Sequence, residues 1–179
     1  ACSGAIYRAA TKVKRVLAMV TGPITIRQAT AEDIPFLQEM IWEAMLASPT
    51  FLALHGVETM RQAEKQYWER WPEHPDPAFV ALDGSGQRLG AMTVKPNDTQ
   101  EPARGWRIGL AMQAHVRGQG LGQRLLERAI IFAREKGANY VNLFVDPTNT
   151  RAIALYRRVG FIEVGEKDQM LEMRINLRS

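Results

Sequence analysis

A chain of 179 residues with 46% apolar and 23% charged side chains is sized and balanced for one globular domain, which excludes a disordered tail, a collagen-like rod and a disulfide-stapled miniprotein. Its single cysteine, Cys2, excludes an internal disulfide, and no apolar run nears the roughly 20 residues of a transmembrane helix, so a cytoplasmic protein with no membrane partner is expected. The formal charge of +4 invites a nucleic-acid reading. That excess sits in residues 1–18, where Arg8, Lys12, Lys14 and Arg15 stand without an acid; beyond them 19 basic residues balance 19 acidic ones. Because Met19-Val20-Thr21 offers a start, residues 1–19 are expected to be a flexible leader or upstream sequence, and 20–179 a single domain with no nucleic-acid partner.

Residues 24–29 alternate apolar and polar, as a half-buried strand does. Thr30-Ala31-Glu32-Asp33 has capping-box spacing, and Pro35 suits a first helical turn. Ile34, Leu37, Met40, Ile41, Ala44 and Met45 then recur at helical spacing, and Ser48-Pro49 is read as the stop. The spacing predicts a second helix over 56–71. Strands are predicted over 78–82 and 89–94, joined by the glycine-containing turn Asp83-Gly84-Ser85-Gly86-Gln87. A polar loop leads to a strand over 106–112. A long helix over 121–136 has Leu121, Leu125, Leu126, Ala129, Ile130 and Ala133 on one face and ends at Gly137. Then come a strand (140–145), a helix (149–159) closed by Gly160, and two strands (161–164 and 170–177). The strands flanking the long helix are expected to be parallel neighbours, since such a crossover needs a helix. The hairpins are antiparallel, which makes the sheet mixed.

The strongest chemical signal is Arg117-Gly118-Gln119-Gly120-Leu121-Gly122, between a strand and the long helix. Such a turn aims several backbone N–H groups at one spot, and the helix dipole adds positive charge there. A diphosphate suits it. The dinucleotide pattern G-x-G-x-x-G fails, because its last position is Gln123, and the Gly-Lys-Ser/Thr ending of a phosphate-binding P-loop is absent. No His, Cys or carboxylate set has metal-ligand spacing, so no metal is expected.

The hexamer resembles the Arg/Gln-x-x-Gly-x-Gly/Ala signature of the GCN5-related N-acetyltransferases (GNAT). Thr30-Ala31-Glu32-Asp33-Ile34 resembles the start of that family's first helix. Asn149 through Tyr156, with Gly160-Phe161 following, resembles its Asn-x-x-Ala-x-x-x-Tyr and Gly-Phe segment. The order of elements agrees from residue 24 to 177. The resemblance implies an α/β fold: a mixed, mostly antiparallel sheet of six to seven strands flanked by about four helices, with a splayed parallel pair at the CoA site. It also implies acetyl transfer from acetyl-CoA, as co-substrate, to a primary amine by direct attack in a ternary complex. The acceptor is a small-molecule or peptide amine. The frequency of dimers in the family is the sole basis for expecting a homodimer.

Carried over by position, the amides of Arg117, Gly118, Gln119, Gly120, Leu121 and Gly122 would hold the CoA diphosphate. Met112 and Ala114 would pair with pantetheine, and an N–H near Met112 would polarise the thioester. Ala114 stands where the family often has proline. Tyr156 would protonate the departing thiolate; an unperturbed phenol titrates near ~10 and is an acid at neutral pH. Asn149 would N-cap its helix and touch the pantetheine. The family often places a Glu base on the strand here read at 106–112, which contains no carboxylate. Glu101 is taken as the base, with Asp98, Glu43, His115 or a water as alternatives. The missing carboxylate supports a rival, a non-catalytic CoA-binding sensor or interaction module on the same fold. Finally, residues 104–134 carry six Arg and one acid, whereas 31–60 carry Glu32, Asp33, Glu39, Glu43 and Glu58 and no base. A basic cofactor half and an acidic acceptor half are expected.

Overall fold

The computed structural model describes residues 20–71, 76–97 and 105–177. Its strands are β1 (Thr25–Gln28), β2 (Ala78–Leu82), β3 (Arg88–Pro96), β4 (Gly105–Met112), β5 (Tyr140–Val145), β6 (Ile162–Lys167) and β7 (Met170–Asn176). Its helices are α1 (Ile34–Leu46), α2 (Pro49–His55), α3 (Val57–Arg70), α4 (Leu121–Glu135) and α5 (Thr150–Val159). The strands form one sheet in the order β1-β2-β3-β4-β5-β7-β6, and every pairing is antiparallel except β4 with β5. A mixed sheet with one parallel pair across the α4 crossover is what the sequence predicts.

Two-residue alternation sorts side chains onto two faces. In β2, Phe79 and Ala81 join the core under α4, while Ala78 and Val80 join the core under α1 and α3. The α4 side is the larger core: Leu121, Leu125, Leu126, Ala129 and Ala133 are buried against β2, β3 and β4. On the other face Leu37, Met40, Trp68 and Trp71 close over Val80 and Ala91. The domain therefore has three layers, and the sheet is the wall between two helical sides.

Among the described residues five α-helices flank the sheet where about four are expected. The additional one is α2. Ser48-Pro49 ends α1 and also starts α2: the Ser48 hydroxyl accepts from the Phe51 N–H at 3.2 Å, and Pro49 takes the first helical position. The strand predicted over 161–164 extends to Lys167. It passes a register shift between Glu163 and Gly165, then turns through Asp168 and Gln169, both at positive φ.

Buried carboxylates fix loops around this frame, among them Asp33 and Asp146. Asp33 has no exposed surface and accepts from Arg27 Nη1 (2.6 Å), Arg88 Nε (2.7 Å) and the Thr30 N–H (2.8 Å). Burial alone would raise its pKa, but those donors outweigh it and hold the group well below the usual carboxylate range. Asp146, 4% exposed at the end of β5, accepts from Thr148 Oγ1 (2.6 Å) and Thr148 N (2.9 Å) with one oxygen. Its other oxygen accepts from Ser48 Oγ (2.8 Å) and Thr50 N (3.1 Å), which fastens the start of α2 to the β5–α5 loop.

Candidate active site

The site begins with a strand pair that separates. β4 and β5 are paired only at Gly105–Tyr140, Trp106–Val141 and Arg107–Asn142. Beyond Arg107, β4 stays on β3 up to Met112 and β5 stays on β7 up to Val145. The β5-facing edge of β4 over residues 108–112 therefore has no strand partner. A cleft of about 470 Å³ lies there, bordered by Ile108, Leu110, Ala111, Leu143, Phe144 and Tyr156.

At the open end of β4 the chain makes a short 3₁₀ turn, Ala114–Val116, and enters the glycine-rich segment. Gly118 and Gly120 have φ of +86° and +81°, a left-handed conformation that glycine adopts without strain. Among the described residues no backbone carbonyl takes the N–H groups of residues 118–122. With Gly120 as N-cap of α4, those donors and the positive end of the helix dipole converge. Two side chains brace the turn. Arg117 forks onto the Met112 carbonyl through Nε (3.1 Å) and Nη2 (3.0 Å), and Gln119 Nε2 donates to the His115 carbonyl at 3.0 Å. The Met112 carbonyl is thus occupied by Arg117. Ala114 lies past the strand, in the 3₁₀ turn. A cation also reaches the turn from α5: a methyl placed on Gly118 would stand 2.8 Å from Arg151 Nη2.

Tyr156 projects from α5 into the cleft. It is 8% exposed, its ring lies 6.0 Å from that of Phe161, and burial pushes its pKa up to about 12. Asn149 N-caps α5, its Oδ1 accepting from the Ala152 N–H at 3.1 Å, as its place in the sequence predicts. The diphosphate-type turn, the free strand edge and Tyr156 thus meet at one end of the sheet.

Glu101 and Asp98 lie outside the described residues. Glu43 is exposed on α1 and does not border the cleft. His115 sits in the 3₁₀ turn, away from the cleft wall. The cleft brings its own titratable groups from distant elements: His55 at the end of α2, with its ring 4.4 Å from Phe51, Arg107 on β4, and Asp168 in the β6–β7 turn. No local pattern in the sequence marks these residues; only the sheet register and α2 bring them together. The acidic acceptor half is also thinner than counted, because Asp33 is internal and neutralised by Arg27 and Arg88.

Residues 37–161, from α1 through α5, match the model of the acetyltransferase (GNAT) family. The chain belongs to that family. Curated relatives include the mycothiol acetyltransferase of Arthrobacter sp. (strain FB24), 38% identical over 90 residues, or 48% of this chain and 28% of that protein. The N-alpha-acetyltransferase MAK3 of Arabidopsis thaliana is 34% identical over 92 residues, 51% of this chain and 46% of that protein. The chain thus spans less than half the length of these relatives. Among solved structures, yncA of Salmonella typhimurium, a GNAT-fold neighbour described with acetyl-CoA, superposes with a TM-score of 0.68 at 21% identity, covering 88% of this chain and 96% of that one. A ribosomal-protein-alanine N-acetyltransferase of Brucella melitensis gives 0.67 at 26% identity, over 86% and 99%. The GNAT fold expected from the sequence is the observed one, down to its parallel β4–β5 pair. Among the described residues no helix is long and apolar enough to cross a membrane, and no cluster of His, Cys, Asp or Glu is placed to hold a metal.

Proposed function

We propose that the chain transfers an acetyl group from acetyl-CoA to a primary amine, by direct attack in a ternary complex. The observation that carries this is the separation of β4 from β5 with the glycine turn at its mouth and Tyr156 in its wall. A thioester arm fits an unpaired strand edge, because main-chain groups there can bond to its amides. The N–H groups of residues 118–122 suit a diphosphate, and Arg151 adds charge beside them. On this reading Gly118, Gln119, Gly120, Leu121 and Gly122 hold phosphate oxygens. Arg117 acts mainly through its fork on Met112, which ties the strand end to the turn.

The amine must reach the thioester carbonyl unprotonated. His55, an imidazole on the side where α2 borders the cleft, would take its proton, directly or through a water. As the carbon–sulfur bond breaks, Tyr156 supplies a proton to the sulfur, and its raised pKa keeps that proton in place at neutral pH. The non-catalytic alternative rested on the strand without a carboxylate; His55 and Asp168 in the cleft weaken that argument.

The test is thiol release from acetyl-CoA in the presence of a panel of amines. Release that depends on the amine supports the reading. Tight acetyl-CoA binding with no release for any amine class would favour the sensor. Incubation with acetyl-CoA alone should leave the protein unacetylated; a stable acetyl-enzyme would overturn direct attack. The turn has its own test. Gly120 offers open space to a methyl group, so Gly120→Ala acts through backbone strain alone, at about 1 kcal/mol. We expect roughly that loss in urea unfolding, together with weaker acetyl-CoA binding by calorimetry. Unaltered acetyl-CoA affinity would remove this turn from the cofactor site.

A further inference from the structure

A second chamber of about 290 Å³ lies between α1, α2, α3 and β3. It opens into the cleft: Ile41, Met45, Phe51, His55 and Thr93 border both. Its own wall comes from α3, through Met60, Glu64, Tyr67 and Trp68, and from Lys95 on β3. Most of that wall is apolar or aromatic.

Two polar groups in it have no partner among the described residues. Trp68 is 3% exposed, and its indole N–H donates to nothing. One turn earlier on α3, Glu64 has an Oε1 that is closed off from solvent and equally unpaired. The indole is near enough to favour the carboxylate's charge, yet the two make no well-formed hydrogen bond. Burial raises the Glu64 pKa, and Trp68 and Arg61 counter it only in part. Glu64 enters none of the ion pairs found, and Arg61 lies over the Trp42 ring, 5.3 Å from its centroid. A carboxylate with one oxygen closed off from solvent and unpaired, set among aromatic faces, is an environment that receives a cation. Lys95 borders the same chamber, but its Nζ stands 5.0 Å over the Tyr67 ring.

Glu64 borders the chamber and not the cleft; Tyr156 borders the cleft and not the chamber. The group that Glu64 takes is therefore not the amine that is acetylated. We propose that the chamber holds the far end of the acceptor and that Glu64 anchors a second cationic group there. The acceptor is then a diamine-type molecule: a reacting amine and a second cation joined by an apolar spacer. This rests on the acetyltransferase reading above.

The test compares hexanediamine with hexylamine in wild type, Glu64→Gln and Glu64→Asp. Wild type should favour the diamine by about tenfold or more in kcat/KM, mostly through KM, as one charge-assisted contact predicts. Glu64→Gln should reduce the diamine to the level of hexylamine and leave hexylamine itself unchanged. Glu64→Asp should recover part of the preference. Equal rates for the two amines in wild type, or a preference that survives Glu64→Gln, would overturn the proposal. So would a preference for lysine over hexanediamine, which would move the anchor to Lys95. Calorimetry with hexanediamine separates this from the parent reading. If no amine releases CoA, acetyl transfer fails, but diamine binding that disappears in Glu64→Gln would still support the anchor. No binding by wild type would overturn it.

Discussion

Replacing Tyr156 with Phe should slow turnover by about a hundredfold while leaving acetyl-CoA affinity nearly unchanged. The size follows from what a positioned general acid contributes, about 10² to 10⁴ in rate. The lower end applies because a bulk water can still protonate a thiolate. The ring itself stays, so its packing on Phe161 and in the α4–α5 core is kept. The pH profile adds a readout that packing would not move. Burial sets the phenol near 12, and only its protonated form can donate. On the alkaline side, kcat/KM should rise as the amine loses its proton and should not fall again below about pH 11. A descending limb near pH 9 would mean that some other acid protonates the sulfur. An unchanged rate in the Phe variant would remove Tyr156 from the mechanism.

Asp33→Ala should cost about 3 kcal/mol of folding stability, the low end for breaking a buried ion pair. Removing the carboxylate leaves two guanidinium groups and the Thr30 N–H without their acceptor. Arg27 and Arg88 are each about one-third exposed (38% and 33%), so water relieves part of the loss. The pH dependence has a definite sign. The folded-state pKa lies below the unfolded value of about 3.9, so the contribution is fully present above that value and is lost as pH falls toward the folded pKa. Urea unfolding of wild type and variant should differ most near neutrality, and the difference should shrink progressively once pH falls below about 4. A constant difference across that range would mean that the carboxylate's charge is not what holds the loop. Activity at neutral pH should change little in the fraction that stays folded, since Asp33 borders neither chamber.

Most of the cofactor side could be read from the chain because its signals are local. Glycines at left-handed positions, an N-capping Asn149 and a strongly amphipathic α4 each declare themselves within a few residues. The parallel pairing followed from the α4 crossover. Where that pair stops is not local: the unpaired edge beyond Arg107 depends on β3 and β7 each keeping one strand. The helix α2 was hidden because Ser48-Pro49 carries a stop and a start at the same place, and only seven residues follow before Gly56. His55 and Glu64 stand on α2 and α3 as ordinary polar positions; their meaning comes from which cavity they border. Glu101, the base taken from the family pattern, lies outside the described residues, and the proposal of His55 rests on the cleft it borders.

Asp146 divides its two oxygens between the halves of the domain. One holds the turn that leads into α5, which carries Arg151 and Tyr156; the other holds the first turn of α2, which carries Phe51 and His55. A ligand that shifts either element without breaking these bonds would strain the other through a single buried carboxylate. If a ligand on one side displaces that carboxylate, the resulting change in affinity on the other side is by thermodynamic necessity the same factor in both directions. The order in which two substrates arrive would be a property of this tether as much as of either binding surface.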